Sequence, residues 1–135
     1  MPINLLALVA ALLYFAATGL QLLHILQRRQ QIDRLVFGLG LVALLFHAIL
    51  AWNSMVLEEG LDLGFYKISS LIFLVINVAC IISLARRPLQ NLLVILFPLS
   101  AMAVLVATFT PESAGLDSNL PSGLLVHIGA SVLAY

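Results

Sequence analysis

Charge is what this sequence has least of. Only 9% of its 135 residues are Asp, Glu, Lys or Arg, against about 25% in a soluble globular domain, so it lacks the polar surface that would wrap a water-exposed fold. Hydrophobic residues make up 63%, and the two figures together place the chain in a membrane. Six basic residues balance six acidic ones for a net charge of +0; with no basic excess there is no field to hold nucleic acid. Cysteine is nearly missing too. Cys80 stands alone inside an apolar run, which excludes an internal disulfide and a Cys-rich metal site.

Carboxylates are missing from every apolar run, so the acidic relay on which proton-driven pumps and exchangers commonly depend is not there, and this argues against a transporter of that kind. P-loop, nucleophile-elbow, zinc-protease and dinucleotide fingerprints are absent as well; Gly38-Leu39-Gly40 is a bare GxG at the start of an apolar run and reads as helix packing. Hydrolytic and nucleotide-dependent catalysis have no residues to stand on. The expectation is a protein that is not an enzyme.

What is present is a series of apolar stretches, each long enough for a hydrocarbon core of about 30 Å, which takes roughly 20 helical residues. They run from Ile3 to Leu26, Leu35 to Leu57, Phe65 to Leu84 and Leu92 to Phe109. A fifth begins near Leu124 and reaches Tyr135 without a polar flank, so the chain reads as the N-terminal part of a longer polytopic protein, residues 1–135 forming one membrane-embedded domain. Met1-Pro2-Ile3-Asn4 carries no basic residue and the first run exceeds a signal-peptide core, so that run is expected to remain as a helix. Connections are short, which makes successive helices antiparallel neighbours in an all-α, up-down transmembrane bundle.

Loop charges set the expected orientation. Arg28, Arg29 and Arg34 lie between the first two spans and Arg86 and Arg87 between the third and fourth, so five of the 6 basic residues share one side. The other side carries Glu58, Glu59, Asp62, Glu112 and Asp117, with Lys67 as its cation. The positive-inside rule then puts the N-terminus outside, which in a bacterium is the periplasmic side, with Trp52 and Tyr66 at the outer interface.

Helices in lipid associate through small residues and through polar side chains that bond across the interface. Ala7, Ala10, Ala11, Tyr14, Ala17, Thr18, Gln21, His24 and Arg28 form such a stripe on the first span, and Gly40, Ala43, His47, Ala51 and Ser54 form one on the second. The third span presents Ser70, Asn77 and Cys80, which leaves an amide at mid-membrane in need of a partner. Pro98 in the fourth cannot donate to the carbonyl of Val94, so a kink that widens the interhelical space is expected there. For all of these except the histidines, packing is the preferred reading.

Ionisable residues inside spans are functional candidates by default. His24 falls at the inner interface near Arg28 and reads as a polar anchor. His47 lies about 7.5 Å below the outer interface, counted from Trp52, and His127 about 6 Å below it, counted from Gly123. Two neutral imidazoles at one level on different helices could hold an iron porphyrin, with Asn77 lining the pocket and the Ser131 and Tyr135 hydroxyls following His127 on its helix face. From spacing alone, hydrogen bonding to neighbouring helices is the preferred reading.

Several segments resemble the N-terminal half of the inner-membrane cytochrome c assembly family, in its HemX-like branch related to CcsA and CcmC. They are Leu45-Phe46-His47-Ala48, Gly60-Leu61-Asp62-Leu63-Gly64-Phe65, Arg86-Arg87-Pro88 with Leu96-Phe97-Pro98-Leu99, and the run from Val126 through His127 to Tyr135. Their order and spacing along most of the chain carry the resemblance. It implies a multi-pass protein of the bacterial inner membrane that binds haem or presents it on the periplasmic side. His47 and His127 become its candidate axial ligands, and the lipid bilayer, other assembly proteins and apocytochrome c its partners. The alternatives are a membrane scaffold or regulatory subunit without haem and, less favoured, a small-molecule transporter.

Overall fold

The computed structural model describes residues 2–27, 34–57, 60–61, 64–84, 90–110, 127 and 130–131. Four long helices account for most of them: α1 (Ile3–Leu26), α2 (Arg34–Met55), α3 (Phe65–Leu84) and α4 (Gln90–Phe109). All four are long and apolar enough to cross a membrane. An apolar run of this length has little choice, because a backbone in hydrocarbon must satisfy its own N–H and C=O groups, and a single chain segment does so only as a helix. Hydroxyls in the helices follow the same constraint: Thr18 donates to the Tyr14 carbonyl at 2.8 Å, Ser69 to Phe65 at 2.9 Å and Thr108 to Val104 at 2.8 Å.

The second span ends earlier than its hydropathy suggests. After Met55 the chain leaves the helix, and β1 (Val56–Leu57) pairs antiparallel with β2 (Gly60–Leu61), Val56 opposite Leu61 and Leu57 opposite Gly60. Apolarity alone extends a helix through Val56 and Leu57. Pairing with the returning strand satisfies their backbone instead, and β-branched Val56 suits an extended conformation. Of the expected fifth span, His127, Ala130 and Ser131 are helical, and the rest lies outside the described residues.

The helices form a closed ring, with α1 against α2 and α4, and α3 against α4 and α2. Two apolar clusters reveal the directions. Ala7 and Ala10 at the start of α1 meet Leu50 near the end of α2 and Val104 near the end of α4. Further along, Ala11, Tyr14 and Ala17 join Val36 and Ala43 of α2, Cys80 of α3, and Leu93, Leu96, Phe97 and Ala101 of α4. Neighbours are therefore antiparallel and α1 runs parallel to α3, as short connections require.

Burial is inverted relative to a soluble protein. Buried residues of α1 are Ala7, Ala10, Ala11, Tyr14, Ala17 and Gln21, and those of α3 are Ser70, Asn77 and Cys80. Large side chains such as Leu12, Leu26, Leu45, Ile82 and Ile95 are exposed around the outside. Lipid is as apolar as leucine, so close approach by small side chains, rather than escape from water, brings the helices together. Trp52 and Phe65, 70% and 76% exposed, lie with Tyr66 at the end of the bundle that carries the N-terminus; the Phe65 and Tyr66 rings make an edge contact at 5.5 Å. Aromatic side chains at this position fit a membrane–water interface.

Helix α4 continues through Pro98, with helical residues on both sides. Beside it, Phe97 is fully buried; its ring lies 5.4 Å from that of Tyr14 and crosses the ring of helices to reach α2 at Gly40. A Cβ at position 40 would stand 2.7 Å from Phe97 Cζ, so α2 comes this close only because residue 40 has no side chain. Gly40→Val overpacks this crossing and is expected to destabilise the bundle by about 1–3 kcal/mol. Thermal unfolding in detergent measures the loss, and a second substitution, Phe97→Leu, is expected to recover part of it.

Candidate functional site

The buried polar residues gather in layers along the bundle axis. In the first, His47 of α2 is 0% exposed and both of its ring nitrogens are engaged. Nδ1 lies 3.2 Å from the Tyr14 hydroxyl of α1 and Nε2 lies 2.9 Å from the Ser70 hydroxyl of α3. The Tyr14 and His47 rings meet edge-on, 5.9 Å apart with an interplanar angle of 89°. A neutral imidazole has one N–H and one bare nitrogen, so one hydroxyl donates to it and the other accepts from it. This single side chain therefore ties three helices together with both of its polar atoms satisfied.

The second layer is built on an amide. Asn77 Nδ2 of α3 donates to the Phe73 carbonyl one turn back at 2.7 Å and to the Ser100 hydroxyl of α4. Ser100 spends its own proton on the Leu96 carbonyl at 2.7 Å, so it can only accept from Asn77. The amide orientation follows from this, since a flipped amide would present oxygen to two acceptors. Asn77 thus finds the partner that its mid-membrane position demands.

The two candidate haem ligands occupy different surroundings. His47 is sealed in the bundle, whereas His127 is exposed on its helical segment, and among the described residues no hydrogen bond or ring contact joins them. Ser131, expected beside His127 as a polar neighbour, donates to the His127 backbone carbonyl at 2.7 Å. Asn77 serves the α3–α4 contact, and Tyr135 lies outside the described residues. As packed, His47 does not fit an axial ligand. An iron atom could reach Nε2 only after Ser70 had left it, and the Tyr14 hydroxyl and ring already meet the imidazole at Nδ1 and edge-on. His127 has the accessible imidazole that ligation requires.

Sequence reasoning placed His47, Ser70 and Asn77 inside the bundle but missed their partners. The roles of Tyr14 and Ser100 were open to it only as polar residues at buried positions of the helical repeat. No three His, Cys, Asp or Glu side chains converge among the described residues.

Fold and polar layers define the class: a multi-pass membrane protein in which the four described long helices are pinned by interhelical hydrogen bonds. The chain is 29% identical over 132 residues to the "Inner membrane protein YpjD" of Escherichia coli K12, and equally to those of strains O6:H1 and O157:H7. The match takes in 96% of this chain and 50% of each relative, so the chain spans about half the length of the curated relatives it matches. No family model matches, and no solved structure is significantly similar.

Interhelical hydrogen bonds in membranes average about 0.6 kcal/mol and reach about 1.7 kcal/mol. Tyr14→Phe keeps the ring on Phe97 but removes the bond to Nδ1, so it is expected to cost an amount in that range. In a His47→Ala background the same substitution should cost nothing further. A double-mutant cycle read by equilibrium unfolding in mixed detergent checks both.

Proposed function

We propose that this chain belongs to a haem-handling protein of the bacterial inner membrane, which binds haem or presents it on the periplasmic side during cytochrome c assembly. It acts by binding rather than by bond cleavage, with apocytochrome c and other assembly proteins as partners. The observation that carries the proposal is the exposed His127 imidazole, within the Val126 to Tyr135 segment that resembles the opening of that family's haem-handling domain. A relative of twice the length, named as an inner membrane protein, is compatible with a ligand set completed by residues beyond this chain. In this reading His127 is an axial ligand, and the His47 layer holds α1, α2 and α3 in register.

The second reading is a membrane scaffold without haem, favoured by one observation: His47 is fully satisfied by Tyr14 and Ser70. Visible spectra of the full-length protein in detergent, oxidised and reduced, separate the two. The haem reading expects a Soret band that His127→Ala abolishes or converts to a mono-ligated form, while His47→Ala keeps the band and lowers the unfolding temperature. A folded parent that neither carries haem nor takes up added haem leaves the scaffold reading in its place.

The orientation belongs to the same proposal: N-terminus periplasmic, Arg28, Arg29, Arg86 and Arg87 cytoplasmic. In a Cys80→Ser background, a cysteine placed at Asp62 is expected to react with a membrane-impermeant maleimide in intact spheroplasts. One placed at Gln30 is expected to react only after lysis.

A further inference from the structure

Two turns beyond the His47 layer, the bundle carries a second pair of buried polar residues whose chemistry is incomplete. Gln21 is 1% exposed and Asn77 is 0% exposed, and among the described residues neither Gln21 Oε1 nor Asn77 Oδ1 meets a hydrogen-bond donor. Two side-chain oxygens buried without a donor are costly in hydrocarbon, more so than in a water-penetrated core.

Register puts these two residues at a similar height. Tyr14 and Ser70 both bond to His47, which aligns α1 and α3 at that height. Gln21 follows Tyr14 by seven residues and Asn77 follows Ser70 by seven, so on two parallel helices both lie about 10.5 Å further along and on nearly the same face as the residue above. Gly40, seven residues before His47 on the antiparallel α2, falls at this height as well. At this height α2 offers backbone rather than a side chain, and the Phe97 ring packs against it.

The kind of partner follows from what surrounds the pair. Both orphaned atoms are acceptors, so the partner must donate. It must also be neutral, because no Asp or Glu lies within any of the four helices to compensate a cation. A partner with two donor hydrogens would serve both oxygens at once. We propose that one internal water molecule binds at this level, donating one hydrogen to Gln21 Oε1 and the other to Asn77 Oδ1, and so joins α1 to α3.

Water-selective NOE spectroscopy on the full-length protein in detergent micelles tests this directly. Cross-peaks at the water frequency are expected from the side-chain amides of both Gln21 and Asn77; their absence from either overturns the proposal. An unfolding cycle supplies the energetic arm. Gln21→Leu and Asn77→Leu should each lower the folding equilibrium constant about tenfold, since each strands the other oxygen. The double variant should fall well short of the hundredfold product, because removing the second acceptor also removes the orphan. Losses that multiply fully, or a Gln21→Leu variant more stable than the parent, overturn the shared water. Where Asn77→Leu fails to fold through loss of its bond to Ser100, Gln21→Leu alone is read by the Asn77 water cross-peak, which should vanish; its persistence overturns the shared site.

Discussion

Everything in this bundle depends on how closely other helices can approach α1. In lipid an apolar side chain gains nothing by moving from an acyl chain to a neighbouring helix, so the attraction comes from close packing and from polar contacts. The face of α1 made by Ala7, Ala10, Ala11 and Ala17 keeps its backbone accessible, and both α2 and α4 lie against it. Tyr14 stands in the middle of that face, where its ring meets Phe97 of α4 and its hydroxyl meets His47 of α2. Larger residues at the alanine positions would hold both neighbours away from these contacts.

Polar residues then choose one register among many that alanine would tolerate. Small residues slide past one another with little change in energy, whereas hydrogen bonds reward one alignment. His47 can reach Tyr14 and Ser70 together only when α1, α2 and α3 are at one relative height, and Asn77 reaches Ser100 only when α4 is aligned with α3. A slip of one turn, about 5.4 Å, would bury those groups unpaired. Gly40 and Phe97 add a shape constraint across the ring, since the aromatic tip has room at only one position along α2.

For function, the important contrast is between two histidines that hydropathy treats alike. One is enclosed with both nitrogens bonded and contributes to architecture; the other is exposed.

Composition and periodicity determined a good deal by themselves. Four spans, their antiparallel order and the inward faces of α1 and α3 were all legible, because hydrocarbon leaves a long apolar run no alternative to helix and small or polar stripes have no reason to face lipid. Those stripes named Tyr14, His47, Ser70 and Asn77 as interior, and hydropathy misjudged the end of α2, where Val56 and Leu57 pair with Gly60 and Leu61. Which side chain meets which was decided by tertiary structure alone. Periodicity specifies the face of a helix, but not its height or rotation against a neighbour, and hydrogen bonds form over 2.7–3.2 Å. That is why equal depth suggested a pairing of His47 with His127, while the folded bundle gives His47 to Tyr14 and Ser70.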